Sequence, residues 1–152
     1  MPPKLIAALT VLARLMLAAI FLGSGVNKIV STEQTVQAMT ANGVPLPSVL
    51  VWPAIGFLLV GGVSVVLGWK TRIGTALLMV FLAMATYYFH DFWTLDPQSD
   101  GFMPSMIGFQ KNVGLMGGLL FLFANGPGPA SVDNRERLVV PGQVQPLEPE
   151  TV

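Results

Sequence analysis

No cysteine occurs in the 152-residue chain, and there is one histidine, His90. Without thiols there can be no disulfide, no thiol redox pair and no ordinary Cys-ligated iron–sulfur cluster. A single histidine argues against an all-protein zinc or haem site, so no metal is expected. Charge is also scarce. Only 11% of residues are charged, against about one-quarter in soluble domains. The net charge is zero, which offers nothing to nucleic acid. Redox chemistry in such a chain must come through a bound cofactor or a partner protein.

What the chain has in abundance is apolar sequence, 53% of all residues. Leu5 to Val26 carries one charge, Arg14, while Val49 to Trp69 and Ile73 to Phe89 carry none. A helix rising 1.5 Å per residue needs about 20 residues to cross a hydrocarbon core of about 30 Å. These three stretches meet or approach that length. The fourth, Asn112 to Gly126, is uncharged but short, and must borrow residues from before Lys111. The first stretch reads as a membrane helix and not a signal peptide, because it is long, is interrupted by Arg14 and is followed by three more. The expected fold is all-α: an integral membrane four-helix bundle spanning residues 1–126, in contact with the lipid bilayer, followed by a disordered cytoplasmic tail over 127–152.

Basic residues near helix ends set the orientation. With the N-terminus in the cytoplasm, Lys4, Lys70, Arg72, Arg135 and Arg137 lie inside, while Lys28 and Lys111 lie at the outer side. Both termini are therefore expected in the cytoplasm. Between the first two spans, Ser31-Thr32-Glu33-Gln34 has the pattern of a capping box, and Gly43 stops the short helix it opens. Val36 and Met39 share one face of that helix, which predicts a position on the outer membrane surface. Lys70-Thr71-Arg72 is a tight turn, making spans two and three antiparallel neighbours. Pro104 suits the first turn of the last helix, where its missing N–H costs nothing. Gly114 and Gly118 form a GxxxG pair, and Gly61, Gly62 and Ala19-x-x-x-Gly23 add further small faces for helix contact.

A few polar residues stand out against this background. Arg14 lies about nine residues into the first span, where a charge costs about 2.5–3.5 kcal/mol on insertion scales. It either faces a cavity, or snorkels or bonds backbone carbonyls, and the cavity is the favoured reading. In Thr86-Tyr87-Tyr88-Phe89-His90-Asp91-Phe92-Trp93, Thr86 and His90 are four apart, as are Tyr87 and Asp91, which gives two polar lines on one helix. An aromatic belt explains Trp93 and Tyr88 without function, but it does not require His90-Asp91. Spans one and three end at the outer face, and two and four begin there. Asn27, Lys28, His90, Asp91, Lys111 and Asn112 should therefore gather in the outer half of the bundle, above Arg14. The excess of cation over Asp91 favours a hydrogen-bond-accepting or anionic guest, such as a quinone or a small oxyanion.

The same residues resemble the DoxX family of four-helix membrane proteins. The similarity runs through Arg14-Leu15-Met16-Leu17, Phe21-Leu22-x-Ser24-Gly25-x-x-Lys28, Gly43-Val44-Pro45-Leu46-Pro47 and Gly62 through Gly68-x-x-Thr71-Arg72. Its most specific parts are Phe89-His90-x-Phe92-Trp93, Lys111-Asn112 with Gly117-Gly118, and Gly126-Pro127-Gly128-Pro129-x-Ser131-x-Asp133. The resemblance implies kinship with the membrane subunit of thiosulfate:quinone oxidoreductase. It departs at one point: many members carry a glutamate four residues before the glycine equivalent to Gly62, where this chain has Leu58. An Arg14–glutamate pair across the bundle is therefore absent.

These readings together predict a multi-pass protein of the inner (plasma) membrane, a quinone-interacting subunit associated with an oxidoreductase. Quinone is the expected cofactor, and a redox-enzyme subunit or a second copy of the chain the expected protein partner. His90 and Asp91 are the candidate catalytic residues. Arg14, Lys28, Tyr87, Trp93, Lys111 and Asn112 are the candidate ligand contacts. Two alternatives stay open: a small-anion binding or carrier protein, and a non-catalytic assembly partner of a redox enzyme. Whether the chain is catalytic alone is left open.

Overall fold

The computed structural model describes residues 1–134. Five α-helices account for most of them: α1 Pro3–Val30, α2 Thr32–Ala41, α3 Pro47–Leu67, α4 Thr71–Phe89 and α5 Phe102–Asn125. A single 3-10 turn covers Phe92–Thr94. The all-α expectation holds, with no strand among the described residues. Four of the helices are long and apolar enough to cross a membrane. α5 begins at Phe102, with Pro104 in its first turn, so the fourth span does recruit residues from before Lys111.

Local chemistry sets the ends of the elements. Pro47 opens α3, and Gly68, at φ 65°, closes it in the left-handed conformation that glycine adopts at least cost. The capping box expected at Ser31 is not formed. α1 runs on to Val30, the Ser31 amide donates to the Asn27 carbonyl at 2.9 Å, and its side chain makes no cap bond. Held in that bond at φ −117°, ψ 44°, Ser31 lacks the extended backbone an N-cap needs. α2 exists where expected, but its apolar face turns inward. Met39 is buried with Val44, Val51 and Ile55, and Val36 packs on that cluster, so the face covers α3 instead of meeting lipid.

The bundle is an arc in which α1 packs on α3, α3 on α4 and α4 on α5. Its core joins Ala18 and Phe21 of α1, Leu58 and Val65 of α3, Leu78 and Leu82 of α4, and Leu119 and Leu122 of α5. Close approach depends on small residues. A side chain at Gly62 would strike Leu22, and one at Gly61 would strike Leu78. The other proposed small faces contribute less: Gly23 and Gly114 have nothing within 4 Å of an added Cβ, and Gly118 meets only Leu17. Large apolar side chains such as Leu12, Met16, Val60, Ile73, Val80 and Phe121 stand exposed around the bundle, as a lipid-facing surface requires.

The two ends of the bundle differ. The turn end holds the α3–α4 connection, and the loop end holds α2 and the segment between α4 and α5. At the turn end the sequence expectation of a disordered tail from residue 127 is corrected for 127–134. The Asp133 amide donates to the Gly68 carbonyl at 2.8 Å. The Asp133 carboxylate accepts from the amides of Lys70 (2.7 Å) and Thr71 (3.0 Å) and from the Thr71 hydroxyl (2.8 Å). It thereby caps α4 from outside that helix, satisfying donors that the helix cannot. Ser131 is buried and donates to the Gly128 carbonyl at 2.7 Å. Residues 126–134 thus form a strap from the end of α5 to the start of α4. The rest of the expected tail, 135–152, with Arg135 and Arg137, lies outside the described residues.

Candidate functional site

A cavity of about 700 Å³ opens between the loop-end halves of the long helices, walled on one side by α2. Ile20, Phe21, Phe57, Leu58, Phe81 and Leu115 give it apolar walls, while Lys28, His90, Lys111 and Asn112 bring polar groups to it. Five of the six residues expected to gather, Asn27, Lys28, His90, Lys111 and Asn112, therefore line it. Lys28 is half-buried; Lys111, which a last helix starting at Pro104 would put about two turns below the outer surface and inside the bundle, is instead exposed at the rim. Neither ammonium has a hydrogen-bond or ion-pair partner among the described residues.

Side-chain size on α5 positions His90. Gly108 faces it, and any side chain there would overlap the imidazole along its Nδ1–Cε1 edge. His90 follows the last residue of α4, its amide donating to the Thr86 carbonyl at 3.1 Å. The charges of Lys111 and Asp91 both act on the ring. Asn112 is buried and donates through Nδ2 to the Thr86 hydroxyl at 2.9 Å, which in turn donates to the Leu82 carbonyl at 2.7 Å. This chain of bonds ties α5 to α4 beside the cavity. The Thr86–His90 line read from the sequence faces α5.

The companion line does not join it. Tyr87 is 64% exposed, with its ring edge-on to Tyr88 at 5.1 Å. Asp91 does not line the cavity, and its Oδ2 accepts from the Thr94 hydroxyl at 3.0 Å at the start of the 3-10 turn. Trp93 is 53% exposed and packs edge-to-face with Phe92 and Phe109. The aromatic-belt reading suits it, and none of these three side chains lines the cavity. Conversely, Ser24, Gln34, Thr35 and Tyr88 do line it without having been selected. Ser24 could have been found from the spacing, since it lies four residues before Lys28 on the same face of α1.

Arg14 lies apart from the cavity. It is only 4% exposed, but it lies at the turn end, against Gly68, where its Nη2 donates to the Ala130 carbonyl at 2.6 Å. Its Nε and Nη1 have no hydrogen-bond partner, and the charge of Asp133 acts on it. Gly68 and His90 flank opposite ends of α4, whose 19 residues span roughly 28 Å. No small ligand in the cavity reaches both. The depth estimate failed because α1 has 28 residues, roughly 42 Å, and its first turns run past the α3–α4 connection. The alternative reading, an arginine bound to backbone carbonyl, is the one realised.

Residues 9–91 match the protein family described as DoxX. The chain is 34% identical to inner membrane protein YphA of Escherichia coli (strain K12) over 128 residues, which cover 84% of this chain and 89% of that protein. It is 31% identical to inner membrane protein YqjF of the same organism, over 80% of this chain and 86% of that protein. A shorter similarity, 31% over 74 residues, relates it to the Surfeit locus protein 4 homolog of Schizosaccharomyces pombe, covering 49% of this chain and 24% of that protein. No solved structure matches the chain.

Proposed function

The chain belongs to the DoxX family, and on that premise we propose that its loop-end cavity binds the head of a quinone, as the membrane partner of an oxidoreductase. The observation that carries this reading is the composition of the cavity. Its apolar walls suit a ring, and Lys28 and Lys111 present two ammonium groups without partners to it. Unpaired donors in a site of low polarity favour a guest rich in hydrogen-bond acceptors.

A quinone supplies two-electron, two-proton carriage when bound. The residues present fit such a group. Lys28 and Lys111 would hold its carbonyl oxygens, and Asn112 would keep α5 in register with α4. His90 rests its Nδ1 edge on Gly108, which leaves Nε2 to take up or release a proton, and imidazole titrates in the range this requires. The electrons would come from a partner protein, since the chain carries no cysteine and one histidine. By the names of its relatives the protein would reside in the inner membrane. Lys4, Lys70 and Arg72 at the turn end would place that end in the cytoplasm. A reporter active only in the cytoplasm should then give signal after Val152 and none after Asp96, and the reverse pattern would refute the orientation.

The functional test is extraction and mass analysis of quinone from the purified wild-type chain and from Lys28→Met and Lys111→Met. The wild type should retain quinone and each variant should lose most of it. A chain that carries no quinone but binds a small oxyanion through the same lysines would establish the carrier reading instead.

A further inference from the structure

The cavity has an open side, and the position of that opening restricts the ligand. α1 and α5 form the two edges of the helical arc and do not pack along their length. They approach at Leu17, whose methyl groups lie 3.6 and 3.9 Å from the position of a Cβ on Gly118. One turn toward the loop end on the same face of α5, Gly114 meets nothing within 4 Å. The next residue along that face is Lys111 at the cavity rim, and on α1 the face of Leu17 continues through Ser24 to Lys28, both cavity-lining. The two helices thus meet at Leu17–Gly118, nothing fills the space beside Gly114, and Lys28 and Lys111, farther along the same two faces, line the cavity.

Resting on the quinone reading, we propose that the ligand is a tailed quinone whose alkyl or isoprenoid chain lies in this α1–α5 seam, past Gly114, and continues into the bilayer. The head then occupies the cationic end of the cavity. A cavity of about 700 Å³ accommodates a ring and the first carbons of a tail, as drug-sized pockets do, but not a long chain. Lipid is as apolar as the protein interior, so a tail gains little by being enclosed. It needs an unobstructed way out, and the seam supplies one that begins where the two ammonium groups stand. Gly114 contributes by leaving that path empty.

The test compares two probes on the full chain in micelles, by calorimetric titration: decylubiquinone, and the tail-less head 2,3-dimethoxy-5-methyl-1,4-benzoquinone. Gly114→Leu places bulk in the seam at a position with open space, and leucine favours helix over glycine, so folding is not impaired. The variant should bind decylubiquinone at least about tenfold more weakly than wild type, as overpacking would dictate, while the tail-less probe binds as before. Val113→Phe adds bulk at an exposed position that does not line the cavity and lies off the Lys111–Gly114–Gly118 face, and should change neither. If Gly114→Leu leaves both probes unchanged, or weakens both equally, the tail does not lie in the seam and the proposal is overturned. A wild type that binds the head but not decylubiquinone overturns it as well. A wild type that binds neither probe refutes the quinone reading itself.

Discussion

Replacing Asp133 by alanine should destabilise the bundle from a position that the sequence pattern assigned to a loose tail. Among the described residues the carboxylate accepts from the Lys70 amide, the Thr71 amide and the Thr71 hydroxyl, and Thr71 is fully buried. Loss of a cap costs about 0.5–2 kcal/mol, and a buried donor left unsatisfied about 1–3 kcal/mol. Lys70 stands at φ 46°, a left-handed conformation costing roughly 1–2 kcal/mol in a residue with a side chain, which the same bonds now offset. Arg14, buried and already short of partners at Nε and Nη1, would lose the charge that acts on it. These terms overlap, so a net loss of about 3 kcal/mol is expected, equivalent to roughly 6–12 °C in thermal midpoint for a chain of this size. Tryptophan fluorescence during heating in micelles measures it. The Arg14→Met, Asp133→Ala pair should cost less than the sum of the two single changes, because the two residues share one network. An Asp133→Ala midpoint within about 2 °C of wild type would show that the strap does not hold the turn end together.

Three further outcomes follow from the geometry. Gly108→Ala puts a methyl group where the His90 ring lies and should weaken quinone binding about tenfold through displacement of the imidazole; unchanged affinity would detach His90 from the site. Asn112→Ala removes the bond to the Thr86 hydroxyl and should destabilise by about 1 kcal/mol, seen as a lowered thermal midpoint, whereas no shift would mean that the bond does not tie α4 to α5. Leu46 stands at φ 46° as the N-cap of α3 and is 71% exposed, so Leu46→Gly should raise the midpoint by a few degrees, relieving about 1 kcal/mol of strain.

The membrane spans were legible because hydrophobic length is a property of continuous sequence, and counting residues back past Lys111 put the start of α5 near Pro104, two residues from its observed start at Phe102. The loop-end cluster of Lys28, His90, Lys111 and Asn112 was legible for a related reason. Alternating helix direction alone brings those positions to one side of a bundle. Arg14 was not, because its depth depends on where α1 sits relative to α3, and only the contact with Gly68 fixes that. The strap was missed for the same cause. Residues 126–134 show no periodicity, and their order comes from Asp133 capping a helix more than 60 residues earlier in the chain. Asp91 and Trp93 illustrate a different limit: α4 ends at Phe89 and the chain turns at Phe92–Thr94, so their side chains follow the turn, while Tyr87, still within α4, sits on the exposed face of that helix.

The central claim is that binding resides at Lys28, His90 and Lys111, at the opposite end of the bundle from Arg14. The most direct test titrates 2,3-dimethoxy-5-methyl-1,4-benzoquinone into the wild type, Lys111→Met and Arg14→Met, with affinity expressed per folded molecule. Lys111→Met should weaken binding by roughly tenfold or more, the loss of one charge-assisted hydrogen bond, while folding is retained. Arg14→Met should lower stability and leave the affinity of the folded fraction unchanged. Equal loss of affinity in both variants, or loss in Arg14→Met alone, would contradict the account.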